Sequence, residues 1–441
     1  MTPARYEVFA IPAGGSDWMV YAPLVGRISL TNAAAAREIL AYAVSPSSAR
    51  QTETVNSLIE TGFFSNDSIP PQSKTNAYYP TEVTLFPSEK CNLHCSYCYA
   101  SATEKGRLLD WDIAKAAIEF VFENARRQDS DCSLLFHGGG EPTLGWNVIR
   151  KALDYAESLG KQMRVGYRTA LASNGTFSAD RANEIGERFD SITLSWDGPL
   201  HDRQRPFADG RGSLAPLTRN CEILSQHEID LQFRATITRS NIHTLPDLPG
   251  EALEIAPALL TLQVEPSWAS GRCSETDKPF AADFVEGFLQ AQERANLLGV
   301  ELAYSGLQPH AIRSSFCSIA KPGFTVLTTG EVSACYETKD STDPRSRWTH
   351  FGKYDHSSGQ FIFAPDKINE LRKFDVRAYP HCEDCFCKWH CAGDCPVKVI
   401  PGGNRSEHHG SERCEINRAL TKAFLLNSIQ TDQPLVCHSH E

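Results

Sequence analysis

Residues 81–98 read TEVTLFPSEKCNLHCSYC. The first half holds a short apolar run, Glu82–Phe86, stopped by Pro87, and predicts a buried β-strand. The second half places Cys91, Cys95 and Cys98 in the loop after that strand, at the spacing CxxxCxxC. Three thiolates in one loop suit three irons of a 4Fe–4S cube, leaving the fourth iron open to an exogenous ligand. A zinc knuckle is the competing reading, but it needs a fourth ligand and usually pairs two CxxC arms.

Outward from this stretch the chain alternates strand and helix. The expected strands are Glu82–Phe86, Ser133–His137, Val165–Ala172, Ser191–Trp196, Leu231–Thr238 and Leu259–Glu265. Most are apolar runs, as strands buried on both faces should be. Helical periodicity lies between them over Asp112–Arg127, Trp146–Leu159, Asp180–Phe189, Leu214–Gln226 and Ala281–Leu298. Six strand–helix units predict an α/β fold with a parallel sheet, open or part of a barrel, with chemistry at the C-terminal strand ends. From about residue 307 the alternation stops. The rest reads as irregular and Cys-rich, with a hairpin at Thr325–Ala334 turning at Gly330 and a closing helix over Glu415–Ser428. At the other end, residues 1–64 read as a small unit. It has strands at Tyr6–Ile11, Trp18–Tyr21 and Arg27–Leu30, then an Asn32-capped helix and a second helix over Thr52–Gly62. Residues 65–80, with Pro70 and Pro71, read as a linker.

Composition narrows the function. Of 441 residues, 43 are Lys or Arg and 54 are Asp or Glu, a formal net charge of −11. Nucleic-acid backbone binding normally shows a basic excess, so no nucleic-acid partner is expected. No apolar run approaches the ~20 residues of a membrane helix, so no membrane partner is expected either. Met1–Trp18 does not have the pattern of a signal peptide. Fifteen cysteines in such a chain point to a reducing cytoplasm and to metal or redox chemistry rather than disulfide staples.

CxxxCxxC with Tyr97 before its last Cys resembles the radical S-adenosylmethionine (radical SAM) enzymes, over about residues 80–306. Further motifs fall in order at the strand ends: His137-Gly138-Gly139-Gly140-Glu141-Pro142, Ser173-Asn174-Gly175 and Ser195-Trp196-Asp197-Gly198. The resemblance implies a partial (β/α)6 barrel over 81–306. It also implies that Gly139, Gly140 and Glu141 take the methionine ammonium of S-adenosylmethionine and that Ser195 touches the ribose. Tyr97, Asn174 and Asp197 would line the same pocket. Arg234 on the fifth strand would pair with the methionine carboxylate. The implied reaction is one-electron cleavage of S-adenosylmethionine to methionine and a 5′-deoxyadenosyl radical, which abstracts hydrogen from an unactivated carbon. An external one-electron reductant of the flavodoxin or ferredoxin type would feed the cluster.

Beyond residue 307, Cys317, the Gly330xxxxCys335 step, Cys382xxCys385, Cys391, Cys395 and Cys414 resemble the SPASM domain, an auxiliary-cluster module of peptide- and protein-modifying radical enzymes. Its implied span is 307–441. By resemblance Cys382, Cys385, Cys391 and Cys414 hold an outer 4Fe–4S cluster, and Cys317, Cys335 and Cys395 an inner one, giving three clusters in all. Paired structural zinc sites are the competing reading of these spacings. Of the remaining cysteines, Cys132 and Cys221 read as small buried hydrophobes; Cys387 and Cys273 are the local candidates for the inner cluster's fourth position, which is expected to be open. His408-His409 read as exposed, and the tail with Cys437 and His440 as frayed. Relatives that oxidise a sulfatase side chain to formylglycine carry an Asp base just after the GxxxxC cysteine, where this chain has Tyr336. Residues 1–64 resemble the winged-helix-like element that binds the leader of a precursor peptide as an added strand. The expected function is hydrogen abstraction from a ribosomally made precursor peptide, followed by a crosslink. A sulfatase-maturing or other protein-oxidising enzyme is the alternative, and a non-catalytic metal scaffold the remote one. No general base is identified.

Overall fold

The computed structural model describes residues 5–66, 78–317 and 323–431, and the backbone of 438–439. Most of the expected linker, together with Cys437 and His440, lies outside the described residues. The chain forms two compact units. One gathers Met1–Lys74, Gly306–Cys317 and Phe374–Glu441; the other gathers Thr75–Ser305 and Ser318–Lys373. The stretch 307–441 therefore contributes to both.

The first unit opens with an antiparallel meander of β1 (Phe9–Gly14), β2 (Asp17–Ala22) and β3 (Arg27–Asn32). Gly26, at φ +60°, supplies the left-handed residue that ends the turn before β3. Asn32 then caps α1 (Ala33–Val44), its side chain accepting from the Ala34 and Ala35 amides at 3.0 Å, a cap worth about 1 kcal/mol. Thr52 does the same for α2 (Glu53–Glu60). Val8, Val20 and Ala22 pack on Ile39, Tyr42 and Val55 of these helices. The opposite face of the meander, through Ile11, Met19 and Tyr21, packs on Leu425 of the last helix, Glu412–Thr431. The Tyr21 hydroxyl also meets His390 Nε2 at 2.6 Å. Residues 1–64 thus share a core with the C-terminal segment of their own unit.

The second unit is built on a parallel sheet of β4 (Glu82–Leu85), β5 (Cys132–Phe136), β6 (Tyr167–Ser173), β7 (Ser191–Ser195), β8 (Asp230–Ile237), β9 (Thr261–Pro266) and the short β10 (Glu301–Ala303). The connecting helices are α3 (Trp111–Gln128), α4 (Trp146–Met163), α5 (Ala179–Arg188), α6 (Leu214–Leu224), α7 (Leu248–Ile255) and α8 (Ala281–Leu298). The strands lie side by side in chain order, from β4 to β10, with no reversal. Right-handed crossovers in one direction put every helix on the same face. Such a sheet curls into a partial barrel and has no topological switch point, unlike a doubly wound sheet.

Two expectations need correction here. The strands are not buried on both faces. In β8, Leu231, Phe233, Ala235 and Ile237 are buried while Gln232, Arg234 and Thr236 are partly or fully exposed, and β7 alternates likewise. The face away from the helices is polar because it lines an open interior. The region after 307 is also more regular than expected. β11 (Gly323–Val326) pairs parallel with β4, and β12 (Glu331–Ser333), β13 (His350–Asp355) and β14 (Gln360–Phe363) continue the sheet antiparallel. The hairpin at Gly330, φ +80°, is where the sequence puts it. The later strands are short and held by aromatic packing: Phe324 and Phe363 meet Phe120 of α3 at ring distances of 6.0 and 5.3 Å. Among the described residues, no helix is long and apolar enough to cross a membrane.

Candidate functional site

The loop between β4 and α3 carries Cys91, Cys95 and Cys98 at the C-terminal end of the sheet, and three neighbouring loops hold it. The loop after β5 lies directly on it. The Glu141 amide donates to the Lys90 carbonyl at 2.7 Å, and a Cβ on Gly140 would sit 2.2 Å from that same oxygen. Only glycine allows this approach. Gly139 faces no such contact. The Glu141 carboxylate is 3% exposed and already accepts four hydrogen bonds, from the Thr143 amide and hydroxyl, the Ser173 hydroxyl and the Asn174 amide. That fills the usual capacity of a carboxylate, so its side chain frames the loops after β5 and β6. Asn174 extends the frame to the cysteine loop, donating to Asn92 Oδ1 at 2.9 Å with its Nδ2 4.0 Å from Cys91 Sγ.

The loop after β7 supplies the buried Asp197 and Arg205, which meet the half-buried Tyr97 of the cysteine loop. The Tyr97 hydroxyl donates to Asp197 at 2.5 Å, Arg205 donates to the same hydroxyl, and the other Asp197 oxygen accepts the Thr236 amide at 2.8 Å. Burial pushes both the Tyr97 hydroxyl and the Asp197 carboxyl upward, with Arg205 opposing in each case. Ser195 and Arg234 are different. They pair in register on β7 and β8, Ser195 is half-buried and Arg234 is exposed on the polar inner face. Of the eight cofactor candidates, these two offer polar groups to the interior, while Glu141, Asn174, Tyr97 and Asp197 are committed to the frame.

A fourth support was not legible in the sequence. After β9, Gly271 takes φ +60° and passes so close that a Cβ would lie 2.2 Å from the Cys98 carbonyl oxygen. The Arg272 amide donates to that carbonyl at 3.0 Å, its Nε to the Cys95 carbonyl at 2.8 Å and its Nη1 to Ala102 at 3.0 Å. One side chain therefore clamps the whole cysteine loop. Arg205 and Arg272 belong to no motif that spacing reveals. Cys273, one of the two local candidates for the inner cluster's fourth position, is 5% exposed, its thiol directed to the Ser274 carbonyl.

The three thiols fit an iron–sulfur cluster chemically. Burial first, then Glu141, Cys95 and Cys98, push the Cys91 thiol up to about 12, and burial raises Cys95. Thiols gathered so that each penalises the ionisation of the next are suited to a cationic centre, which inverts that penalty.

Further along the same unit, Cys335 Sγ accepts from the Glu337 amide at 3.4 Å. Tyr336 stacks on His137 with rings 4.9 Å apart and reaches Thr84 at 3.2 Å. Burial pulls His137 down to about 4; its Nδ1 accepts the Gly138 amide, so the ring is neutral.

In the first unit, Cys382, Cys385, Cys391 and Cys414 line one cavity, joined by Cys387, His381 and His408. Cys387 Sγ lies 3.4 Å from Cys385 Sγ. The reading of His408 as exposed is overturned: it is 2% exposed, while His409 is on the surface. The buried ion pair of Arg413 with Asp394, at 2.9 and 3.0 Å, ties the Cys414 helix to the Cys391–Cys395 loop. Cys395 is half-buried and Cys317 exposed. Cys132 and Cys221 are buried, as small hydrophobes should be.

Comparison with known proteins agrees with this geometry. Residues 85–254 match the Radical SAM superfamily. The serine-type anaerobic sulfatase-maturating enzyme of Klebsiella aerogenes is 24% identical over 362 residues, 76% of this chain and 84% of that protein. Native anSMEcpe with bound AdoMet has the same fold, with a TM-score of 0.64, 18% identity, and coverage of 80% of this chain and 100% of that one. Streptococcus suis SuiB bound to precursor peptide SuiA superposes with a TM-score of 0.55 and 12% identity, covering 92% of this chain and 98% of that one. The chain spans about half the length of the first curated relatives it matches. Residues 85–254 thus form a radical SAM domain, which contains the CxxxCxxC loop, the Gly139–Glu141 turn and the ends of β6, β7 and β8.

Proposed function

We propose that this chain is a radical SAM maturase that abstracts hydrogen from an unactivated carbon of a ribosomally made precursor peptide and forms a crosslink there. The observation that carries this reading is the cysteine loop clamped at the mouth of a half-open barrel with a polar, accessible inner face. A closed, side-chain-filled barrel would leave no room for a cofactor and a peptide segment. The fold shared with SuiB, which was captured with a precursor peptide, supports a peptide as substrate.

Cys91, Cys95 and Cys98 would hold a 4Fe–4S cluster, which would supply the electron for cleaving S-adenosylmethionine to methionine and a 5′-deoxyadenosyl radical. The chain's own residues do the positioning. Arg234 holds the methionine carboxylate, for which its forked guanidinium is suited. Ser195, its neighbour in register, takes a ribose hydroxyl. Glu141 fixes the Gly139–Gly140 backbone against the cysteine loop, so that backbone groups receive the ammonium. The Tyr97–Asp197–Arg205 triad closes the far wall and keeps water from it. By the resemblance of the cysteine pattern, Cys382, Cys385, Cys391 and Cys414 would hold one auxiliary cluster and Cys317, Cys335 and Cys395 another, which would serve as electron acceptors. A flavodoxin- or ferredoxin-type reductant would reduce the cluster on Cys91, Cys95 and Cys98.

Sulfatase-type oxidation is the second reading, favoured by the Klebsiella relative. Against it stands Tyr336, a phenol stacked on His137, where such enzymes place a carboxylate base. Anaerobic incubation with a precursor peptide encoded beside this chain, followed by tandem mass spectrometry, tests the proposal. The expected product has lost two hydrogens and resists fragmentation between the joined residues. An aldehyde at a Cys or Ser of a sulfatase peptide would favour the second reading.

A further inference from the structure

We infer that His408 tunes the outer auxiliary centre by donating its Nε2–H to the Cys414 thiolate. The inference rests on the cluster reading above and adds to it a residue that no cysteine spacing reveals.

Cys414 stands at the start of the helix Glu412–Thr431, and two donors approach its sulfur. Ser411 Oγ lies at 3.6 Å and His408 Nε2 at 3.8 Å, both within range for a hydrogen bond to sulfur. His408 is 2% exposed and lines the same cavity as Cys382, Cys385, Cys387, Cys391 and Cys414. Its position is built. Asn404 caps the short turn Arg405–Glu407, the His408 amide returns to the Arg405 carbonyl, and the ring packs edge-on against Tyr379 and His381 at 5.7 and 4.9 Å.

The other ring nitrogen, Nδ1, is buried with no hydrogen-bond partner among the described residues. This selects the tautomer. A buried N–H without an acceptor is rarer and more costly than an unused lone pair, so the proton sits on Nε2, facing sulfur, and Nδ1 stays bare. A thiol is a weak acceptor, whereas a thiolate on iron makes a charge-assisted and stronger bond. Hydrogen bonds to cluster sulfurs withdraw charge and favour the reduced state, which raises the reduction potential. The outer centre is thereby made the better electron acceptor. A competing arrangement exists in the same atoms: His381, His408 and Cys414 place one donor atom each within 4.8 Å of one another and would suit a directly bound ion.

The experiment uses the full chain with Cys91, Cys95 and Cys98 replaced by Ala, reconstituted anaerobically with iron and sulfide, so that only auxiliary centres remain. This parent should hold about eight irons. In it, His408→Leu should keep the iron, shift one cluster to a more negative potential in an EPR-monitored titration, and lose one exchangeable-proton coupling in ENDOR. His408→Gln, which keeps an N–H, should fall between the two. An unchanged potential and unchanged coupling in His408→Leu would overturn the inference. So would loss of about four irons in both variants, which would make His408 a ligand. A parent that binds no iron would instead contradict the auxiliary-cluster reading, and this inference with it.

Discussion

Asp394 shows how single residues hold the proposed auxiliary centre. Its carboxylate is 1% exposed, takes Arg413 through both oxygens, and receives the Asn417 amide at 3.4 Å. It also sits at φ +63°, an unusual place for a residue with a side chain. Removing one partner of a buried ion pair leaves the other charge uncompensated, a cost of about 3–5 kcal/mol. Asp394→Ala should therefore lower the urea midpoint of its unit and loosen iron from the Cys382–Cys414 set. Iron at Cys91, Cys95 and Cys98 should be untouched, as read by iron content in variants lacking one set or the other. The cysteines that line this cavity were legible from spacing, because a thiol's chemistry is declared by its identity. His408 was not. A histidine next to a second histidine in a polar, Gly-containing loop reads as solvated, and only the fold shows that one ring turns inward.

At the scale of elements, the strand–helix alternation was readable to within a few residues for β4 to β9, α3 to α6 and α8, which carry strong periodicity; the eight-residue α7 was not read. The polar inner face was written there too. The exposed Arg234 and the half-buried Ser195 alternate with apolar neighbours, a pattern that a strand buried on both faces does not show. Beyond the Gly330 hairpin, β13 and β14 were missed because each is short and owes its place to strand and aromatic partners rather than to a local signal. The same holds for the clamp after β9. Arg272 lies 170 and 177 residues from the carbonyls its side chain meets, and no local signal marks it or Gly271. Arg272→Ala removes two side-chain hydrogen bonds from buried carbonyls, worth roughly 1–3 kcal/mol each where the acceptor is left unsatisfied. The expected result is slower reconstitution and faster oxidative loss of the Cys91–Cys98 cluster, followed by its EPR signal. Arg272→Lys should recover less than half, since an ammonium cannot span Cys95 and Ala102 as a guanidinium does. Equal cluster lifetimes in all three proteins would remove the clamp from the account.

For the whole molecule, the chain is a half-open barrel unit and a second unit in which an N-terminal meander and a C-terminal cysteine-rich segment share one core. That shared core changes how the N-terminal segment must be tested. Deleting residues 1–64 would uncover Leu425 and strip His390 of Tyr21. Substitutions on the outer edge of β3 are the cleaner probe of peptide capture. The central claim is that Cys91, Cys95 and Cys98 hold a cluster that cleaves S-adenosylmethionine. It is tested most directly by quantifying 5′-deoxyadenosine after anaerobic reconstitution, with dithionite and S-adenosylmethionine added. The account predicts about twelve irons per chain and steady 5′-deoxyadenosine release. With all three cysteines replaced by Ala, release should vanish and only about a third of the iron should go. A full-length protein that binds zinc in place of iron, or that releases no 5′-deoxyadenosine with its iron in place, would contradict it.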